Sequence, residues 1–325
     1  MELGCLFPPT MQTPAHIERA EALGYRRAFV YDSPAFLADP WITVALAAER
    51  TSRISLGVCA ITPRLRHVAA AAGALATLAA LAPDRIEVVV GSGFTSQLML
   101  AQRPARWADV EAYAAALRAL LAGAETEWDG AVIGLKHGPL SGVPLPAGVR
   151  MHIAAHGPRG YAAAERLGCG IVTNISHRGS HPGPPDMGIV QVLYYGTVLD
   201  PGESAASDRV MDAAGPYAAF QLHIGEHGIA AQAPERAAFA SAIARIDPRR
   251  RHLEIHRGHL IELTEWERPV VSPGLITLTT GTGTADDVRG HLARIAASGA
   301  RGVLYGPMGP DIPRELAAFA AAAGG

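Results

Sequence analysis

The sequence predicts an α/β chain folded as a TIM (β/α)8 barrel with insertion segments, and three observations predict it. Apolar, β-branched runs recur eight times along the chain. Most of them are followed by a stretch of helical character. No change of composition and no long linker divides the 325 residues, so one domain over 1–325 is expected. A doubly wound parallel sheet is the competing architecture.

The strands come in order. Leu3–Phe7 stops at Pro8-Pro9. Thr13 is placed to cap a helix with Pro14 at its first position, which Gly24 ends. Ala28–Tyr31 terminates at Asp32-Ser33-Pro34, and a helix over about 40–51 leads to Ile54–Val58. Cys59–Leu65 reads as a loop, and the alanine-rich 67–81 as a buried helix. Arg85–Val90 is a near-continuous apolar run into Gly91-Ser92-Gly93-Phe94-Thr95, the pattern of a strand buried on both faces. A polar loop and an amphipathic helix over 107–121 follow. Asp129-Gly130 signals a hairpin within 127–135, outside the main sheet.

The β/α rhythm resumes at Met151–Ala155, with a helix from Pro158 to Leu167. Strands at Gly170–Thr173 and Ile189–Val198 flank a loop, 177–186, of Gly, Pro and His. Helices are expected over 207–227 and 234–246, and 249–271 mixes helix with irregular chain. A helix over 285–297, the strand Val303–Tyr305 and a helix over 313–323 finish the pattern.

Bulk properties exclude several classes. A net charge of −2 and a pI near 6.7 give no drive toward nucleic acid or an anionic membrane. The most apolar helical run, 68–81, is too short to span a bilayer. Cys5, Cys59 and Cys169 are isolated and form no disulfide framework, and Met1–Cys5 has no signal-peptide character, so a cytoplasmic setting is expected.

In a barrel the chemistry sits at strand C-termini. Here they offer Asp32, Cys59-Ala60-Ile61-Thr62, Gly91–Thr95, His156–Gly160, Thr173-Asn174 and Met308. This mouth is small, apolar and hydrogen-bonding, with few carboxylates. His156, His177 and His181 with Asp32 show neither HxH nor HExxH spacing, so no metal is expected there. No GxSxG elbow is present, and Cys59 has no adjacent activator. His156-Gly157-Pro158-Arg159-Gly160 leaves a strand and opens a helix, an arrangement suited to phosphate. Solvation of Arg159 beside a simple helix start is the alternative. His252, His256 and His259 fall at i, i+4 and i+7, one face if helical, which would suit a metal or substrate site; Gly258 weakens the helix, and a polar helix covering the barrel near the pocket is the favoured reading. His137, His223, His227 and His291 read as surface or loop residues.

Several segments, in order, resemble the bacterial luciferase-like superfamily of flavin- and deazaflavin-dependent oxidoreductases. They are Ala20–Tyr25 with Val30-Tyr31-Asp32, Thr51–Gly57 with Arg66-His67, and Thr77-Leu78 with Asp84-Arg85 and Gly91-Ser92-Gly93. Ile153–Arg159 and Thr282–Val288 continue the series. The chain looks closest to the F420-using branch, similar to methylenetetrahydromethanopterin reductase. That resemblance implies a barrel holding coenzyme F420, or FMN, at the strand ends. It implies Asp32 near the reactive ring as the catalytic candidate and a cis peptide bond at Cys59–Ala60. Cys59, Ala60, Ile61, Gly91, Ser92, Gly93 and Thr95 would line the cofactor, and His156, Gly157, Pro158, Arg159 and Gly160 would hold its phosphate. Cys59, Thr62, Val68 and Asp84 depart from the usual Gly, Asn, Pro and Gly, and point to a reshaped mouth.

The expected activity is F420-dependent hydride transfer to or from a small organic substrate. An FMN-dependent monooxygenase using reduced flavin and oxygen, and a non-catalytic cofactor-binding barrel, are the alternatives. Asp32 is either a proton donor or acceptor, a positioner of the ring, or a cap for the turn at Ser33-Pro34. Arg64, Arg66, Arg103 and Arg106 are candidate contacts for an anionic cofactor tail, or else surface cations. The 177–186 loop is the candidate substrate lid. Dimers are common in this kind of fold, so a homodimer is expected.

Overall fold

Eight parallel strands close into a barrel, in the spatial order β1 (Glu2–Phe7), β10 (Gly302–Gly306), β9 (Ile189–Tyr195), β8 (Gly170–Asn174), β7 (Arg150–Ala154), β4 (Ile86–Val90), β3 (Ser55–Ile61) and β2 (Arg27–Val30). The computed structural model describes residues 1–174, 189–225 and 229–324. In chain order the elements begin β1 (Glu2–Phe7), α1 (Thr13–Ala22), β2 (Arg27–Val30), α2 (Pro40–Arg50) and β3 (Ser55–Ile61). Then come α3 (Val68–Leu81), β4 (Ile86–Val90), α4 (Phe94–Leu98) and α5 (Trp107–Leu121). A small antiparallel hairpin, β5 (Thr126–Trp128) and β6 (Ala131–Ile133), stands outside the barrel. The barrel continues with β7 (Arg150–Ala154), α6 (Pro158–Leu167), β8 (Gly170–Asn174) and β9 (Ile189–Tyr195). Next are α7 (Asp208–His223), α8 (Glu235–Ala244), α9 (Arg251–Glu254) and α10 (Pro273–Thr279). The chain ends with α11 (Ala285–Ala297), β10 (Gly302–Gly306) and α12 (Ile312–Gly324).

All eight expected barrel strands are present. β4 shows why they were legible: every residue of Ile86–Val90 is buried, as a parallel strand covered on both faces requires. The hairpin turns at Asp129 and Gly130, both with positive φ, as a two-residue Asp-Gly turn demands. α11 begins with a reciprocal capping box between Thr284 and Asp287.

Four expectations are corrected. Thr13 is not a cap; its hydroxyl donates to the Pro8 carbonyl at 2.6 Å, tying α1 back to the end of β1. Cys59, Ala60 and Ile61 belong to β3 rather than to a loop. Phe94–Leu98 is a short helix, so Thr95 lies in its first turn. β9 stops at Tyr195 because Gly196 turns at φ +137, where a side chain would strike the Thr282 amide at 2.6 Å.

Between β9 and α11 the chain makes a long helical excursion. Its base is closed by Gly281 N to Tyr195 O at 2.7 Å and Leu199 N to Gly283 O at 2.8 Å. The excursion packs a hydrophobic cluster of its own, with Val210, Ala214, Ala218 and Leu222 from α7 against Phe239, Leu275 and Ile276. Among the described residues no helix is long and apolar enough to cross a membrane.

At the N-terminal end of the barrel one carboxylate organises four strands. The Glu87 side chain is sealed from solvent and accepts from Arg27 Nε at 3.0 Å, Arg150 Nη2 at 2.8 Å and His152 Nε2 at 2.9 Å. Burial alone would raise its pKa. The hydrogen bond from His152 and the cations Arg27 and Arg150 outweigh that and hold it at about 2.

Candidate functional site

The strand C-termini form a floor of small residues. The Cys59–Ala60 peptide bond is cis, as the resemblance implies. Register against β4 shifts there: Cys59 pairs with Val89 and Ile61 with Val90, leaving Ala60 out of the ladder. Gly91 N donates to Ile61 O at 2.9 Å. A methyl on Gly91 would sit 3.1 Å from the Ala154 Cβ and 3.2 Å from the Ala60 Cβ. The β3 bulge, the end of β4 and the end of β7 therefore meet at one place. The Cys59 thiol is buried, which pushes it up to about 12, so it stays neutral and is no nucleophile.

Gly93 takes the left-handed conformation at φ +74 and caps α4. A Cβ there would lie 2.9 Å from both Thr62 Oγ1 and Ser96 Oγ. Those two hydroxyls are buried and have no partner among the described residues, and neither does the Gln97 amide or the Tyr31 hydroxyl. Enclosed polar atoms without a partner are uncommon in a folded chain, and these cluster beside Gly93. Sequence reasoning missed Ser96 and Gln97, because nothing in a polar-looking stretch signals that these two are turned inward. Gly93→Ala is expected to lower stability by about 1–2 kcal/mol through the left-handed backbone. Gly91→Ala, with only close contacts to relieve, should cost less; urea denaturation of both variants checks the order.

Asp32 follows β2 and is partly buried. Burial, and then the nearby Asp39 charge, push its pKa up to about 6, against a smaller opposing pull from Arg66. No described residue hydrogen-bonds its carboxyl, so it does not cap the turn at Ser33-Pro34. It is a carboxyl that gains and loses a proton close to neutrality.

At the start of α6, His156 is exposed and its Nδ1 accepts from Asn174 N at 2.9 Å, which places the ring proton on Nε2. The amides of Gly160 and Tyr161 both donate to Gly157 O, leaving the Arg159 amide without a described acceptor beside its exposed side chain. Gly160 has a packing reason as well: a Cβ there would meet Trp107 at 2.6 Å. Of the four candidate arginines, Arg106 pairs with Asp109 at 2.8 Å. Arg66 lies over the Trp41 ring at 4.7 Å and reaches Asp39 at 3.3 Å. Arg64 donates to the Arg103 carbonyl at 3.4 Å.

The excursion contributes to an aromatic cluster, the roof, at the end of β9. Tyr195, at the end of β9, stacks on Tyr217 of α7 with centroids 4.1 Å apart. Both pack with Leu260 and Met308, and Tyr31 packs against the cluster. Tyr217 OH also accepts from Asn174 Nδ2 at 3.1 Å. A cavity of about 430 Å³ opens beside this roof, between Phe7, Pro8, His16, Leu260 and Met308. A larger recess, of about 590 Å³, lies at the opposite end among Met1, Glu2, Arg26 and Arg53, away from the strand C-termini.

The histidines distribute differently from expectation. The 177–186 lid candidate, with His177 and His181, and His227 lie outside the described residues. α9 ends at Glu254 and Gly258 turns at φ +77, so His252, His256 and His259 share no helical face. His256 and His259 instead meet His223, whose side chain is only 2% exposed rather than on the surface. Burial first, then neighbouring imidazoles, push His256 down to about 3 and hold His259 well below the usual imidazole range.

Comparison with known proteins adds three findings. The family model described as luciferase-like monooxygenase matches residues 8–181. The F420-dependent glucose-6-phosphate dehydrogenase of Beutenbergia cavernae is 33% identical over 180 residues, 49% of this chain and 51% of that protein. Its Mycobacterium avium counterpart is 34% identical over 140 residues, 41% of each chain. The chain thus spans about half the length, or less, of the curated relatives it matches. Among solved structures, the F420-dependent tetrahydromethanopterin reductase of Methanopyrus kandleri superposes with a TM-score of 0.69 at 17% identity, over 98% of this chain and 97% of that one. An F420-dependent secondary alcohol dehydrogenase in complex with an F420–acetone adduct gives 0.68 at 16%, over 99% and 98%. At these identities the likeness is one of fold.

Proposed function

Since this chain belongs to the luciferase-like monooxygenase family, we propose that it is an F420-dependent oxidoreductase, moving a hydride between the deazaflavin and a small organic substrate. The observation that carries the reading is the joint at which Ala60, Gly91 and Ala154 meet, with Asp32 at the neighbouring strand end. Three strand ends there carry nothing larger than a methyl, so a flat ring system can approach the backbone closely. The unpartnered hydroxyls of Thr62 and Ser96 beside Gly93 fit a polar cofactor. On this reading Cys59, Ala60, Ile61 and Gly91–Thr95 hold the ring and its side chain, and His156–Arg159 hold the phosphate. The relatives matched over part of the chain are named for F420 rather than for a flavin, which supports the choice of cofactor.

Bound F420 supplies a two-electron hydride acceptor and donor. The chain's own part is to orient and to manage protons. Asp32, with a pKa of about 6, holds or releases a proton at its carboxyl oxygen near neutral pH, as oxidation of a carbinol or reduction of a carbonyl requires. Tyr195 and Tyr217, stacked at the end of β9, supply an aromatic wall to the barrel mouth. Glucose 6-phosphate and secondary alcohols, the compounds in the names of the relatives and neighbour, are the first substrates to try.

Visible-absorbance titration with F420 and with FMN tests this. One F420 per chain, bound at micromolar concentrations, with reduction of F420 by an alcohol substrate, is the expected result. Tight FMN binding without F420 binding, with flavin-dependent oxygen uptake, would establish instead the monooxygenase reading that the family description favours.

A further inference from the structure

The excursion has a small core rich in alanine, and its 251–267 stretch carries only the short α9. Such a segment needs a fastening beyond apolar burial. The fastening point in this chain is polar. His223, at the last turn of α7, meets His256 and His259, and one ring nitrogen of each lies within 4.8 Å of the other two. Ring centroids are 5.3 Å apart for His223–His256, 5.4 Å for His256–His259 and 6.3 Å for His223–His259.

Two details separate this cluster from histidines that merely pack. The Nδ1 atoms of all three rings are enclosed and have no hydrogen-bond partner among the described residues. Second, His223 Nε2 donates to Glu267 at 2.8 Å, and Glu267 is itself fixed by Thr264 N at 2.9 Å and Thr264 Oγ1 at 2.6 Å. A carboxylate on one imidazole nitrogen sets the tautomer and leaves the other nitrogen with a free lone pair, the outer-sphere arrangement of histidine metal sites. Phe220 lies edge-on to His259 at 5.0 Å and Phe239 stacks on His223 at 5.6 Å, so the cluster is walled by aromatic rings.

We propose that His223, His256 and His259 bind one borderline divalent transition ion, zinc in the first instance, with Glu267 as the outer carboxylate, and that the ion pins the 251–267 stretch to α7. Imidazole nitrogens select zinc, cobalt, nickel or copper over magnesium or calcium. Tetrahedral Zn–N bonds of about 2.0–2.1 Å bring ligand nitrogens to roughly 3.3 Å from one another. The three nitrogens, now within 4.8 Å of one another, would close to that distance by rotation of the rings on binding. The fourth position is left to water or a small anion. The site has a line of contact to the mouth, from His259 through Phe220 to Tyr217 at 5.8 Å and on to the stacked Tyr195. Loading would therefore steady the aromatic roof without adding a group to the floor, and it stands whether or not F420 is the cofactor.

The test uses the full-length chain, stripped with a chelator and titrated with Zn2+ against a chromophoric competitor. One Zn2+ per chain, with a dissociation constant below about 1 μM, and a melting temperature raised by roughly 3–6 °C at a hundredfold excess over that constant are expected. Co2+ should give intense visible bands of a four-coordinate site. H256Q and H259Q should each abolish both signals, E267Q should weaken affinity about 10–100-fold, and H137Q should change nothing. Where a histidine variant fails to fold, the Co2+ spectrum of the unmodified chain decides. Weak six-coordinate bands, no stoichiometric Zn2+, or stoichiometric binding that survives in H256Q and H259Q would each overturn the assignment.

Discussion

Asp32→Asn is expected to cut turnover by about 10²–10⁴-fold, the usual range for a lost general acid or base, while F420 affinity changes only a few-fold. The physical ground is that the amide keeps the shape and loses the proton. In the unmodified protein the pH profile should carry an inflection near 6, where the carboxyl titrates. That inflection should vanish in the variant. If Asp32 only positions the ring, the inflection stays and the loss falls on binding rather than on turnover. Stability should move the other way. The carboxyl's pKa is raised on folding, from 3.8 to about 6, so the folded state holds the proton more tightly than the unfolded chain does. Below about pH 4 the acid is neutral in both states and costs nothing. As pH rises through that window the cost of ionising a buried carboxyl appears, and above about 6 it is complete, at most about 3 kcal/mol before solvent screening. Asn at this position should therefore be more stable than Asp at pH 7 to 8 and indistinguishable near pH 4. Denaturant melts across that range would show it. A gain in stability together with a loss of activity is the mark of a residue kept for chemistry.

What was legible in the sequence divides along a physical line. Strands such as Ile86–Val90 were readable because burial on both faces forces an apolar run. The Asp129-Gly130 turn and the Thr284/Asp287 cap were readable because local backbone geometry chooses the residue. Asp32 and Gly91–Gly93 are readable because they follow strands, where a barrel exposes its backbone, whereas the cis bond at Cys59–Ala60, inside β3, is implied only by the family resemblance. The inward turn of Gln97 has no such local sign. Its amide is wholly enclosed, yet it sits in a stretch whose composition is that of a loop.

Long-range partnership was also hidden. His256 and His259 were visible as a spacing, but α9 ends before them and their third partner, His223, belongs to another helix. The arginines show the opposite case. Their charge is plain in the sequence, but Arg66 and Arg106 already serve Asp39 and Asp109. Charge can be read from composition, whereas the partner that takes it up depends on the packing of separate elements.

The other large effect belongs to the far end of the barrel. Glu87→Gln should destabilise the protein by about 3 kcal/mol at pH 7, with turnover unchanged for the molecules that remain folded. The carboxylate is wholly shielded, and its pKa falls from 4.5 to about 2 on folding, so the folded state favours the charged form. That preference is worth roughly 3 kcal/mol, in line with the cost of breaking a buried ion pair from one side. It is fully present above pH 4.5 and is lost as pH falls through about 2, so the gap between the two proteins should close across that interval. Denaturation at pH 7, 4 and 2 measures it. Arg150→Ala should cost less, because Arg150 is half exposed and Arg27 and His152 remain on the carboxylate. A similar loss for both would mean that the strand packing, and not the charge, carries the effect. Four strands, β2, β3, β4 and β7, are tied through Glu87, Arg27, Arg150 and the Ser55 hydroxyl at 2.9 Å from Arg150. The network thus fastens the lower ends of the three strands, β3, β4 and β7, whose upper ends meet at Ala60, Gly91 and Ala154.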